Sequence, residues 1–255
     1  MKAKFRYSSA QILGALGLAL AGTSAWAQCP TTPTAWTSFT QDGGAVAVTT
    51  PGYASTLCKL SVNINVGAVD ASRAQVRDET PAAEARYRAK FLLNMNGLGA
   101  LTPTARARIF NGQFNPGNAG VFQLRVEGGP ISGYVITGFA ACSNSVDGDG
   151  RCRFNFPIAS GNTVNRIEIE WIRASATNAT DGAFRYWVNA VGASPAPTGT
   201  VTGIAGAGLQ NFAVPGVDQV NLGLIRPNAN FRTQEVGSIV HFDEFESRRQ
   251  TYIGG

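Results

Sequence analysis

From Leu57 onward the chain is a succession of short runs in which apolar and polar residues alternate, each ended by glycine, proline, asparagine or threonine. A period of two marks a strand with one buried face, and a helical period is hard to find anywhere. The runs fall at Leu57–Asn65, Arg86–Asn94, Arg106–Asn111, Val121–Glu127, Gly133–Ala141, Cys152–Ile158, Val164–Arg173, Ala183–Val191, Gln219–Ile225 and Gly237–Ser247. The breaks carry turn chemistry: Asn96-Gly97, Asn111-Gly112, Asn115-Pro116-Gly117, Gly128-Gly129-Pro130 and Asp149-Gly150. Short antiparallel strands in this number make an all-β, two-sheet sandwich. Asp78–Ala89, with Pro81 near its start, admits one turn of helix. Ala193–Gly208 reads as a long loop inside the same domain, because strands resume after it.

Alternation assigns the faces. Tyr87, Ala89, Phe91 and Leu93 go to the core, as do Ala107 and Ile109, Phe122, Leu124 and Val126, Ile167, Ile169 and Trp171, and Phe184, Tyr186 and Val188. The opposite positions form an outer face on which Arg and Glu stand together: Arg86, Arg88, Lys90, Arg106, Arg108, Arg125, Glu168, Glu170 and Arg185.

The amino terminus has Lys2, Lys4 and Arg6, an apolar stretch from Ile12 to Ala21, and Ala25-Trp26-Ala27. This order of charge, apolar core and small-x-small cleavage site predicts a secretory signal peptide over residues 1–27, export to the periplasm, cell surface or medium, and a single domain over 28–255. Cleavage removes three of the 21 Lys and Arg and none of the 16 Asp and Glu, so the net charge falls from +5 to +2. A strongly basic nucleic-acid binder is not indicated. No other apolar run is long enough to cross a membrane.

Four cysteines remain: Cys29, Cys58, Cys142 and Cys152. An even count in an exported chain points to disulfides. Of the three pairings, Cys29–Cys58 with Cys142–Cys152 is favoured, because the second bridge would staple a hairpin around Ser143–Arg151.

Arg86-Tyr87-Arg88-Ala89-Lys90-Phe91, Ile167-Glu168-Ile169-Glu170-Trp171, the Asp181-Gly182 turn into Phe184–Asn189, and the closing Phe242–Gly254 run resemble, in this order, a group of bacterial exported proteins. That group is similar to the concanavalin A-like, laminin G-like jelly-roll superfamily, and the resemblance covers most of residues 57–255. It implies a jelly roll. It leaves function open, because the superfamily includes lectins, adhesion modules, hydrolases and lyases.

Candidate sites divide by chemistry. Laminarinase-type hydrolases of that superfamily carry an E-x-D-x-x-E strand. Here Glu168 and Glu170 fill the first two carboxylate positions, but Arg173 stands at the last, and a guanidinium is no proton donor. Glu168 and Glu170 therefore read first as partners of Arg185 and its neighbours across the sheet. Trp187, flanked by Arg185 and Asn189, is the candidate sugar site: an exposed indole stacks on a pyranose while Arg and Asn bind its hydroxyls, unless loops cover the ring. The cationic outer face suits an acidic polysaccharide or simply a solvated surface. Asp147 and Asp149 in Asp147-Gly148-Asp149-Gly150 read as a glycine-rich turn, with calcium as the alternative because some laminin G-like modules bind it at loop carboxylates. His241, the single histidine, has Asp243 on its face and no serine in a nucleophile elbow. Asn178 heads a formal glycosylation sequon, for which a turn suffices.

The expectation is an exported, non-catalytic, lectin-like module that binds a glycan or a cell-surface partner without a required cofactor. The alternatives are a polysaccharide hydrolase or lyase of the same fold, and a structural surface or matrix protein that assembles with copies of itself.

Overall fold

The computed structural model describes residues 29–95, 97–115, 117, 119–129, 134–159, 163–248 and 253. The expected signal peptide over 1–27 lies outside these residues. So do Asn96, Pro116 and Pro130 of the expected turns, Gly133 of an expected strand and part of the closing run.

Among the described residues fourteen strands form two antiparallel sheets, a jelly-roll sandwich. In chain order they are β1 (Ser38–Asp42), β2 (Gly44–Thr49), β3 (Lys59–Ile64), β4 (Arg73–Asp78), β5 (Arg86–Asn94), β6 (Arg106–Phe114) and β7 (Ala119–Gly128). There follow β8 (Tyr134–Ala141), β9 (Arg151–Ile158), β10 (Asn165–Ile172), β11 (Ala183–Val188), β12 (Gly199–Val201), β13 (Gln219–Ile225) and β14 (Ile239–Arg248). One sheet has the order β1-β4-β13-β6-β7-β8-β9 and the other β12-β11-β10-β5-β14-β3-β2. A short helix, α1 (Ala229–Glu235), precedes β14; the Asn228 side chain caps it by accepting from the Phe231 N–H. Among the described residues no helix is long and apolar enough to cross a membrane.

The inward faces supply the core. Phe110 and Phe122 from the first sheet meet Phe91 and Phe184 from the second, with ring centroids 5.3 Å apart for Phe91–Phe110 and 5.7 Å for Phe122–Phe184. All four rings are fully buried, each contributing about 1.5–3 kcal/mol of apolar burial. Both favoured disulfides are present, Cys29–Cys58 and Cys142–Cys152.

Four expectations change. Residues 78–89 hold no helix: β4 ends at Asp78 and β5 begins at Arg86. Asn111-Gly112 is not a turn. β6 runs through it, because Phe122 packs on Gly112 so closely that a Cβ there would lie 2.4 Å from the ring. The loop over 193–208 contains β12, and β1, β2 and β4 add three strands to those expected. Finally, the single cationic outer face is two faces. Arg86, Arg88 and Lys90 are on β5, whereas Arg106, Arg108 and Arg125 are on β6 and β7 of the opposite sheet.

Candidate functional site

On the first sheet, the residues turned away from the core form a groove of about 510 Å³. Strand pairing orders its floor into two transverse rows. In the first, Arg77, Asn221, Asn111, Gln123, Phe139 and Arg153 stand directly opposite one another in turn across β4, β13, β6, β7, β8 and β9. In the second, Arg73, Ile225, Arg108, Arg125, Thr137 and Asn155 do the same. Six strands span about 24 Å, the length of several sugar units. Between the rows Gly223 keeps the floor low: a Cβ there would lie 2.2 Å from the Ala74 carbonyl oxygen.

The first row is a network of amides. Gln75 Nε2 and Arg77 Nε both donate to Asn221 Oδ1, at 2.9 and 3.0 Å. Asn221 Nδ2 in turn donates to Gln113 Oε1 at 2.9 Å, which also accepts from Gln219 Nε2 at 2.9 Å. These bonds fix the orientation of the Asn221 and Gln113 carboxamides. At the β9 end, Arg153 is held by Asp147 and Asp149 of the turn closed by Cys142–Cys152.

The second row is cationic. Burial, followed by the charges of Arg226, Arg125, Arg151 and Arg73, lowers the Arg108 guanidinium to about 10. Arg125 is also lowered, by burial first and then by Arg106, Arg153 and Arg151, against the opposing charge of Glu127. Three buried polar atoms in this floor have no hydrogen-bond partner among the described residues: Arg125 Nε, Thr137 Oγ1 and Asn111 Oδ1. Seven arginines and five side-chain amides line the groove, and among the described lining residues there is no carboxylate, lysine, histidine or tyrosine.

Glu168, Glu170, Arg185 and Trp187, singled out from the sequence, lie on the other sheet, on β10 and β11, and they are occupied. Glu170 is fully buried and Glu168 is 2% exposed. Glu170 accepts from Arg86 Nε at 2.8 Å, from Arg185 at 3.0 Å, and pairs with Arg88 at 3.1 Å. Glu168 pairs with Arg88 at 3.5 Å and accepts the Ile253 N–H at 3.0 Å. Burial alone would raise the Glu170 carboxyl; the Arg86 hydrogen bond, the Arg88 and Arg86 charges and the Arg185 hydrogen bond outweigh it and hold the group below its usual range. Of the two readings of Trp187 the covered one holds: the residue is 5% exposed, its Nε1 donates to the Pro195 carbonyl at 3.0 Å, and the Arg88 guanidinium sits 4.6 Å from its ring centroid, where a sugar would stack. The Asn189 carboxamide bonds Arg166 N and Asn165 Oδ1 within the hairpin. Arg173 donates twice to the Phe212 carbonyl. Asp147 and Asp149 both face Arg153, so a cation at that turn would have to displace a guanidinium. His241 does meet a serine, Ser61, whose Oγ lies 2.8 Å from Nδ1, but this pair continues to Thr49 and Ser61 is 7% exposed. A second, less polar cavity of about 710 Å³ has Trp36, Phe242 and Phe245 in its lining and Asp243 and Glu246 beside them, a charge unsuited to an anionic polymer.

No family model and no curated relative matches the chain. Solved structures do share its fold. Alginate lyase Aly36B superposes with a TM-score of 0.54 at 13% identity, over 76% of this chain and 82% of that one. A mutant of it in complex with alginate trisaccharide gives 0.53 at 12% identity, over 76% and 82%. The alginate lyase from Klebsiella pneumoniae gives 0.50 at 9%, over 83% and 86%. The class is therefore an all-β, two-sheet jelly-roll sandwich of the kind found in alginate lyases.

Proposed function

We propose that the protein takes an acidic polysaccharide along the groove of its first sheet. The observation that carries this reading is the lining: seven arginines and five amides without a described carboxylate. Guanidinium forks bind carboxylates and sulfates in pairs, and oriented carboxamides bind sugar hydroxyls. The name of the Aly36B complex with alginate trisaccharide supports a polyanionic sugar as the ligand class. Two disulfides fit export to an oxidising compartment, where such polymers are met. Retention on immobilised alginate and polygalacturonate, falling steeply with salt, is the expected result. Equal retention on neutral dextran would overturn it.

Eliminative cleavage in the same groove is the second reading, favoured by the alginate lyase neighbours. An arginine would neutralise a uronate carboxylate and so acidify the C5 proton. A base would take that proton, the C4–O4 bond would break with its electron pair going to O4, and O4 would gain a proton. The described lining holds no carboxylate, lysine, histidine or tyrosine to take that proton, and its guanidiniums stay charged, so the arginines would serve the neutralising step. Ultraviolet absorbance of the unsaturated product from alginate or polygalacturonate decides: its appearance, lost in Arg108→Gln, supports cleavage, and its absence with retention intact leaves binding alone.

A further inference from the structure

We infer that the arginine cluster around Arg108 seats a tetrahedral oxyanion, the sulfate or phosphate ester of a substituted glycan; this rests on the groove being a polysaccharide site. Charge is not spread evenly along the floor. The first row is neutral in its middle, with Asn221, Asn111 and Gln123, and suits sugar hydroxyls. The second row concentrates Arg73, Arg108 and Arg125, with Arg226 and Arg151 close enough to perturb Arg108. A polymer with one carboxylate on every sugar would call for a regular spacing of cations instead.

The geometry of approach points the same way. Arg73 comes from β4, Arg108 and Arg125 from β6 and β7, Arg151 from β9 and Arg226 from just past β13, so cationic side chains enter the one groove from five strands. A carboxylate has two oxygens in one plane and is satisfied by one or two forks, whereas an oxyanion ester has three terminal oxygens in a tripod. Arg73, Arg108, Arg151 and Arg226 form no ion pair among the described residues, and Arg125 reaches only Glu127 at 3.5 Å. Beside them, Arg125 Nε and Thr137 Oγ1 are buried, directly opposed across β7 and β8, and without a partner. Both are donors, and like charges set opposite each other across a sheet cost stability unless something binds between them.

The test compares dextran sulfate with about one sulfate per sugar, dextran phosphate of the same substitution, polygalacturonate and plain dextran, at one ionic strength, by titration calorimetry. An oxyanion ester should bind about tenfold more tightly than polygalacturonate, the worth of one further charge-assisted hydrogen bond. Whichever of inorganic sulfate and phosphate competes better identifies the source. Arg108→Gln and Arg226→Gln, which relieve repulsion and so should fold, must each abolish the preference. Equal binding of sulfated polymer and polyuronate, or a preference that survives both substitutions, overturns the oxyanion seat and leaves the groove standing. Binding of none of the charged polymers overturns both.

Discussion

Arg108 and Arg125 stand directly opposite each other on β6 and β7, and no carboxylate among the described residues pairs with Arg108. Opposed like charges on a sheet cost about 0.2–1 kcal/mol, and burial adds to the penalty. Arg108→Gln should therefore melt about 1–3 °C higher than the parent in low salt, with the gain shrinking as salt rises. The same protein should be retained less on acidic polysaccharide. A lower melting temperature would mean that the stem of Arg108 contributes more through packing than its charge costs.

Glu170 makes the reverse prediction. Its carboxylate is buried among Arg86, Arg88 and Arg185, and Glu170→Gln leaves three guanidiniums short of their shared partner. The expected loss is about 2–4 kcal/mol, below the full cost of a dry pair because Arg86 and Arg185 keep some contact with water. The pH dependence follows from the lowered carboxyl. A folded-state value below the unfolded one gives stability that is complete above the ordinary glutamate range near 4.5 and is lost as the pH falls through the folded value. Melting curves from neutral pH downward should show a decline in acid for the parent and a flatter acid limb for Glu170→Gln.

The alternating runs made the sandwich legible, since inward positions such as Phe91, Ile169 and Phe184 are apolar and their neighbours are not. The paired Arg88 and Glu170 were visible as a mixed-charge face. What the sequence did not reveal was that Pro195 and Ile253 reach that face, because contact from a distant segment leaves no local pattern. The groove was missed for a related reason. β4, Arg73-Ala74-Gln75-Val76-Arg77-Asp78, has only two apolar positions, yet Arg73, Gln75 and Arg77 alternate with them strictly and mark a strand with a polar outer face. Joining it to β13 and, beyond that, β6 takes residues about 145 and 35 positions away, which periodicity cannot supply. Gly112 misled in the other direction, as a turn residue whose lack of a side chain serves Phe122 instead.

Trp187 separates the two faces experimentally. Its indole is enclosed by Arg88 and the segment around Pro195. Trp187→Ala should cost about 3–5 kcal/mol, as large core truncations do. Retention on acidic polysaccharide, measured well below the lowered melting temperature, should match that of the parent. A selective loss of retention without a loss of stability would return the ligand to the second sheet.

Gly223 joins the groove to the stability of the sheet. Its φ of +146° lies where side chains are rarely found, and a Cβ would also meet the Ala74 carbonyl oxygen at 2.2 Å. β13 is an inner strand between β4 and β6, so the backbone cannot shift without parting Arg73 from Arg108. Gly192 offers the comparison: its φ is +101°, but a Cβ there meets nothing within 4 Å. Gly192→Ala should cost about 1–2 kcal/mol, the conformational penalty alone. Gly223→Ala adds a backbone collision and should cost at least about 3 kcal/mol, with retention on acidic polysaccharide falling in whatever fraction remains folded. Equal melting temperatures for the two variants would show that β13 can relax, and that the low floor between the two rows does not depend on the missing side chain.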